Sequence, residues 1–171
     1  MADTKISALT ADTAPDRTAD YVPTYDASAV ATKKVLLSNL GGYALHAFGT
    51  LFSPADATTY YFGSHPSGWI STAAGNKYYI PRAGKLVKAR VVITGGVAGT
   101  SEASTISFRL NDTTDTTISS AIACNVLPFT VVNSALSVAV AEDDYFAIKW
   151  ACPTWVTNPT NLVMSVQLWF T

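Results

Sequence analysis

Alternating apolar and polar residues near the middle of the chain indicate a β-hairpin. Over residues 104–110, apolar side chains occupy every second position, which is the period expected of a half-buried strand. The segment 111–115 (NDTTD) is rich in Asn and Asp, which tolerate left-handed backbone and favour turns. A second run rich in β-branched residues follows over 116–122. Residues 104–122 are therefore predicted to form an antiparallel hairpin with one apolar face.

The same kind of pattern predicts short strands throughout residues 43–171. The clearest are 85–94, 145–152 and 162–170, and Gly, Pro, Asn and Asp separate the segments. No helical periodicity is present. Regularly spaced short strands are typical of an all-β sandwich, and about eight or nine of them favour a jelly roll. The expected fold is a single antiparallel β-sandwich of the jelly-roll type over residues 43–171.

Residues 1–42 have a different character. Their large apolar side chains are too widely spaced to form a core, and only one short strand, over 32–37, is expected. Such a segment cannot offset its own ordering entropy of about 1–2 kcal/mol per residue. It is therefore either unstructured or ordered against a partner. The predicted organisation is an extended arm, 1–42, followed by the sandwich domain, 43–171.

Composition restricts the classes of partner. Hydrophobic residues make up 49% of the chain and charged residues 13%, which leaves a largely neutral surface rich in Thr and Ala. Such a surface suits a protein whose flanks are covered by copies of itself or by a partner. The net charge of −1 provides no general attraction to nucleic acid or to an anionic membrane. No apolar run has the length of a signal peptide or a membrane span. Neither nucleic acid nor membrane is an expected partner.

The residue types that perform catalysis do not cluster in the sequence. The only histidines, His46 and His65, have no Cys or carboxylate at metal-ligand spacing, and no phosphate-binding or nucleophile motif is present. Cys124 and Cys152 are expected to be buried free thiols, although the sequence leaves a disulfide between them open. The acidic segment 142–144 is better explained as a solvated turn than as a calcium site. No enzymatic activity, cofactor or metal is predicted.

Two groups of residues are candidates for binding. A basic cluster suits docking on an acidic protein surface, although it also fits the solvated face of one strand; it consists of Lys77, Arg82, Lys85, Lys88 and Arg90. Aromatic residues in strands and loops suit a carbohydrate- or receptor-binding platform; this group consists of Tyr61, His65, Trp69 and Trp155. A loop tryptophan such as Trp155 can equally be a packed lid at the end of a sandwich.

The N-terminal segment resembles the opening of tailed-bacteriophage virion proteins. The residues that carry the resemblance are the KISALT run at 5–10, the DAS run at 26–28 and the ATKKVLL run at 31–37, with Leu40. Similar openings occur in phage tail fibres, head fibres and head decoration proteins. The C-terminal domain resembles the trimeric, tumour-necrosis-factor-like jelly rolls of phage appendages, over SFRLNDTTDTTIS at 107–119 and EDDYFAIKW at 142–150.

This resemblance implies attachment to the virion through the arm. The arm residues expected to bind the capsid are Lys5, Ile6, Leu9, Tyr21, Tyr25, Lys33, Lys34, Val35 and Leu37. The leading interpretation is a capsid decoration, or cement, protein that is made in the bacterial host cytoplasm. It would bind the major capsid protein on the outer surface of the head as a homotrimer and stabilise the shell. The alternative is a tail or head-fibre protein, attached to a tail or portal-proximal protein, that recognises a host-surface glycan or protein.

Overall fold

The computed structural model describes residues 21–26, 31–36, 42–64 and 75–171, with side chains over 42–47, 52–64 and 75–171. The chain divides into two units, Met1–Gly42 and Tyr43–Thr171. The described residues contain twelve strands and no α-helix. The strands are β1 (Tyr21–Asp26), β2 (Ala31–Leu36), β3 (Tyr43–Phe52), β4 (Thr59–Phe62), β5 (Tyr78–Tyr79), β6 (Gly84–Thr94), β7 (Ala103–Leu110), β8 (Thr114–Ala123), β9 (Phe129–Asn133), β10 (Val138–Val140), β11 (Tyr145–Ala151) and β12 (Leu162–Phe170). None of the described residues forms a helix of the length and apolarity needed to span a membrane.

The first unit contains a two-stranded antiparallel sheet. Strand β1 pairs with β2, with Tyr21 opposite Leu36 and Asp26 opposite Ala31. The predicted strand at 32–37 therefore exists, but it is one half of a hairpin and not a lone strand in an extended arm. Strand β1 was not predicted because Pro23 lies within it, and a proline cannot donate a hydrogen bond to a sheet.

The second unit consists of two antiparallel sheets, which confirms the predicted all-β class. In the first sheet, β6 and β3 flank β12, and the short strands β9 and β10 pair in succession with the far edge of β6. In the second sheet, β7 separates β11 from β8, and the short strands β4 and β5 pair in succession with the other edge of β11. Each sheet is thus four positions wide, with one edge position shared by two short strands.

The two sheets pack face to face, as in a β-sandwich. Every second side chain of β12 from Leu162 to Phe170 is buried, and the residues between them lie on the outer face. Aromatic contacts join the sheets: the ring centroids of Phe52 in β3 and Trp150 in β11 are 5.4 Å apart, and those of Phe108 in β7 and Phe170 in β12 are 6.4 Å apart. The apolar alternation of the sequence therefore produces one shared core.

The predicted central hairpin is confirmed as β7 and β8. Asn111 and Asp112 adopt positive φ angles of 49° and 57°, the left-handed conformation that these residue types tolerate. Asn111 also holds the hairpin turn against the turn that precedes β11. Its Nδ2 donates to Asp144 Oδ1 at 2.8 Å, and its Oδ1 accepts from the Tyr145 backbone N–H at 3.0 Å.

Strand direction places the connections of the second unit at two opposite ends. We define the loop end as the loops 53–58, 95–102, 124–128 and 152–161, and the turn end as the turns 80–83, 111–113 and 141–144 with the C-terminal Thr171. The chain enters the unit at the turn end, because Tyr43 pairs with Phe170 there. The loop end is therefore the end of this unit away from Tyr43.

Candidate interaction surfaces

The β1–β2 hairpin is a two-stranded sheet, so each of its strands has one edge that does not face the other strand. Among the described residues, neither strand pairs with a third one. Isolated two-stranded hairpins are marginally stable in water, and a strand edge with unpaired N–H and C=O groups can accept a further strand. Of the predicted arm residues, the hairpin contains Tyr21, Tyr25, Lys33, Lys34 and Val35. The other predicted arm residues, Lys5, Ile6, Leu9 and Leu37, lie outside the described residues.

Among the side chains that the structure describes, the outer face of the first sheet combines Trp169 with smaller and mostly neutral residues. Trp169, on β12 near the turn end, is half-buried, and Val132 near the β9 edge is exposed. Cross-strand neighbours on this face include Ser165 beside Val92 and Gln167 beside His46. Apart from the basic residues of β6, the face has the composition of a surface that another protein can cover.

The predicted basic cluster does not form one surface. Lys85, Lys88 and Arg90 project from the outer face of the first sheet, and the Lys88 Nζ lies 4.9 Å from the centre of the Trp169 ring. Lys77 instead lies against the outer face of the second sheet, with its Nζ 3.8 Å from the Tyr145 ring centre. Arg82 is in a turn, with its guanidinium 5.3 Å from the Tyr43 ring centre. The cluster was inferred from closeness in sequence, but the chain crosses between the sheets within this segment.

Charged side chains on the outer face of the second sheet form a network centred on Asp115. The carboxylate of Asp115 lies 2.9 Å from Arg109 Nη1 and 2.6 Å from Lys149 Nζ. The register explains the contacts, because Arg109 is opposite Asp115 on β8 and opposite Ala147 on β11. The Arg109 guanidinium also lies 5.9 Å from the centre of the Tyr61 ring. The long side chains of this network lie over the small, buried residues in the middle of the sheet.

A second polar and aromatic group occupies the turn end of the same face. Lys77 Nζ lies 3.3 Å from Asp112 Oδ2, and the Tyr145 hydroxyl donates to the same oxygen at 3.3 Å. Tyr145 and the Asp112 carboxylate both favour the charged ammonium, and they raise the pKa of Lys77. Tyr79 packs edge-on against Tyr145, with ring centroids 5.9 Å apart, and its side chain is 59% exposed.

The two described members of the predicted aromatic platform, Tyr61 and Trp155, do not form one exposed surface. Trp155 is 4% exposed, which confirms that it is a packed lid and contradicts the exposed position that the receptor-binding alternative requires. Its backbone N–H donates to Asp56 Oδ1 at 3.0 Å, which draws the tryptophan loop onto the loop 53–58. Tyr61 is in β4, on the outer face of the second sheet, and is distant from Trp155 in the sequence. His65 and Trp69 lie outside the described residues.

Hydrogen bonds between loops brace the loop end. Thr100 and Thr157 are joined through their backbones and through the Thr100 hydroxyl, and the Asn158 side chain donates to the Pro54 carbonyl at 3.0 Å. The Val156 N–H donates to Glu102 Oε1 at 3.3 Å. Hydrogen bonds from the Thr100 hydroxyl, from the backbone N–H of Glu102 itself and from the Val156 N–H favour the charged carboxylate. They lower the pKa of Glu102.

We expect Glu102 to make the stability of the loop end depend on pH. A carboxyl group whose pKa is lowered by folding stabilises the folded state above its unfolded pKa, near 4.5, and loses that contribution as the pH falls through the folded pKa. Free energies of unfolding measured between neutral and acidic pH should therefore fall less steeply for Glu102→Gln than for the wild type. Asp144, whose pKa is also lowered, is present in both proteins, so the difference isolates Glu102. Identical pH profiles would contradict this assignment.

Features typical of a metal or thiol centre do not assemble in the described part of the chain. No group of three or more His, Cys, Asp or Glu side chains there is placed to hold a metal ion. Cys124 and Cys152 are buried free thiols, as predicted. Burial raises the pKa of Cys124 to about 11 and raises the pKa of Cys152 as well, so both thiols stay protonated at neutral pH.

The tyrosines and ion pairs on the second sheet were largely missed by the sequence reasoning. The Arg109–Asp115 pair could have been predicted from the sequence, because the two residues face each other across the predicted hairpin. The contacts of Lys77 with Tyr145 and Asp112 join segments far apart in sequence, and no local pattern indicates them.

Neither known protein families nor curated protein sequences match this chain.

Proposed function

We propose that this protein is a bacteriophage virion component that decorates the capsid. The observation that carries the proposal is the combination of two unlike units: a hairpin whose strands pair with no third strand among the described residues, and a sandwich with a continuous core. A hairpin of this kind gains stability by pairing with a strand of another protein. The proposed partner is the major capsid protein on the outer surface of the head, with the N-terminal unit as the attachment segment.

The proposed domain fold is a jelly roll. In its support, the first sheet has the order β9/β10, β6, β12, β3 and the second has the order β4/β5, β11, β7, β8. Apart from the β7–β8 hairpin and the short strands that share an edge, consecutive strands alternate between the two sheets. Alternation of this kind between two antiparallel sheets is a property of jelly rolls, which are built from Greek keys.

The proposed assembly is a homotrimer that is formed through the outer face of the first sheet. The half-buried Trp169 and the exposed Val132 support this choice, because aromatic and apolar residues are favoured in the centre of protein interfaces. Three attachment segments in one trimer would bind the shell much more tightly than one, since each further contact becomes intramolecular. Light scattering of the purified protein measures the mass of the assembly directly.

Removal of residues 1–42 tests the attachment role. We expect the truncated protein to lose binding to heads that lack this protein, with at least a hundredfold weaker binding as the contribution of several linked contacts. Circular dichroism establishes whether residues 43–171 remain folded. In the full chain, Val35→Pro should weaken binding in the same direction, because proline removes a backbone donor from β2.

The control variant is Val126→Ala, at an exposed side chain on the loop end, which leaves β1, β2 and the proposed trimer face unaltered. Cryo-electron microscopy of particles with and without the protein locates it. Density at local threefold positions of the capsid would agree with the proposal. Density at the tail alone, or full occupancy of heads by the truncated protein, would disprove it.

A further inference from the structure

The outer face of the second sheet presents two similar groups of side chains. We define the tyrosine face as these two groups together. Each group has a tyrosine ring, a cation beside that ring and a carboxylate bound to the cation. The members at the turn end are Lys77, Tyr79, Asp112 and Tyr145, and those in the middle of the sheet are Tyr61, Arg109, Asp115 and Lys149.

The two groups are spaced for a ligand longer than one small ring. Tyr145 and Lys149 lie on the same face of β11, four residues apart. At about 3.3 Å per residue, this separation is roughly 13 Å. Both positions are aligned with neighbours across the sheet, Tyr145 with Tyr79 and Lys149 with Tyr61. The tyrosine face therefore has two aromatic positions, one at Tyr79 and Tyr145 and one at Tyr61, separated along the direction of β11.

Stabilisation of the sheet by cross-strand contacts explains the ion pairs, but it does not explain why Tyr79 is exposed. Cross-strand pairs such as Arg109 with Asp115 stabilise a sheet by a few tenths of a kcal/mol up to about 1 kcal/mol. Tyr79 contributes little to such a network, because 59% of its side chain is accessible to solvent. An aromatic ring that is exposed beside a bonded lysine and carboxylate is instead suited to a ligand with both apolar and polar groups.

The charge balance of the face indicates which ligand fits. Its three cations and two carboxylates are already paired with each other at 2.6–3.3 Å. An anionic or cationic polymer would compete with these pairs. A hydroxyl group, by contrast, donates and accepts at once and can bind at the margins of an intact ion pair. The C–H faces of a sugar ring can stack on tyrosine.

We propose that the tyrosine face binds a neutral oligosaccharide. Tyr79 stacks on one sugar ring beside Tyr145, with Asp112 and Lys77 binding its hydroxyls. Tyr61 and the Asp115 network receive a second sugar further along β11. This binding is independent of attachment to a capsid, so its test requires only the purified full-length protein.

The experiment uses neutral oligosaccharides built from hexose and N-acetylhexosamine, together with sialylated and uronic-acid-containing counterparts. An array identifies a ligand, and calorimetry measures its dissociation constant. We expect binding of a neutral oligosaccharide, weakened about tenfold or more by Tyr79→Ala and retained by Tyr79→Phe, which keeps the ring. Asp112→Asn should weaken binding without loss of folding, because this side chain lies on the surface.

The matched control is Val156→Ala, at a side chain that is 85% exposed on the loop end. It should leave the dissociation constant unchanged. Binding of charged oligosaccharides alone, equal binding by Tyr79→Ala and the wild type, or no binding across the panel would each overturn the proposal. Head binding is not part of this measurement, so these outcomes leave the decoration role untouched.

Discussion

Trp150→Ala should lower the free energy of unfolding by about 3–5 kcal/mol, the cost typical of removing a large aromatic side chain from a core. Trp150 is fully buried between the two sheets, where its ring centroid lies 5.4 Å from that of Phe52 and 6.2 Å from that of Phe62. Its Nε1–H also donates to the buried Ser104 Oγ at 2.6 Å. The substitution therefore leaves a cavity and removes a buried hydrogen bond. Guanidinium titration monitored by circular dichroism measures the loss.

Trp169→Ala is the matched control for this prediction, because it removes the same side chain from the outer face of the first sheet. Trp169 is only half-buried, with Lys88 against its ring, so we expect less than half of the loss caused by Trp150→Ala. Because Trp169 lies on the proposed trimer face and self-association raises apparent stability, both variants should be compared under conditions in which light scattering shows the same assembly state. Equal losses of the free energy of unfolding would contradict the larger contribution to the core that we assign to Trp150.

The second large effect is expected at Gly96. This residue has a φ of +55°, and a Cβ atom added there would lie 1.7 Å from the Thr160 carbonyl oxygen. Gly96→Ala would therefore force apart the bridge in which the Val97 N–H donates to that oxygen at 3.0 Å and the Thr160 N–H donates back at 3.1 Å. Backbone strain and the lost hydrogen bonds together should cost roughly 3 kcal/mol. Thermal or guanidinium unfolding measures the cost.

Gly95→Ala separates strain from collision. Gly95 has a φ of +79°, but its added Cβ would lie 3.2 Å from the nearest atom, the Asn161 carbonyl oxygen. We expect a loss of about 1–2 kcal/mol, the cost of the left-handed conformation with little steric overlap. If Gly95→Ala destabilised the protein as much as Gly96→Ala does, contact with the loop of Thr160 would not be the dominant cause.

Most of the fold was predictable because strand formation depends on local patterns. The alternation in β7 and in β12 defines which side chains face the core, whatever strand lies beside them. Turn chemistry at Asn111 and Asp112 likewise identified the central hairpin. Strand β1 was missed because a strand that contains proline has a weak local signal, and its pairing with β2 supplies what its sequence lacks.

The candidate binding surfaces were predicted less well, since they depend on neighbours across strands. Trp155 looks exposed in the sequence because it stands among Pro, Thr and Asn, yet hydrogen bonds between loops bury it. Lys77 looks like part of a basic cluster with Lys85, yet it pairs with Asp112 on the other sheet. Local patterns do not specify which of two sheets a short strand joins.

The sequence by itself determined the all-β class, the central hairpin and the inward faces of β7 and β12. These properties follow from side-chain alternation and turn chemistry, which act over a few neighbouring residues. Only the tertiary structure decided the order of the strands, the braced loop end around Trp155 and the tyrosine face. Those features require contacts between residues that are distant along the chain, and such contacts arise when the two sheets bury their apolar faces against each other.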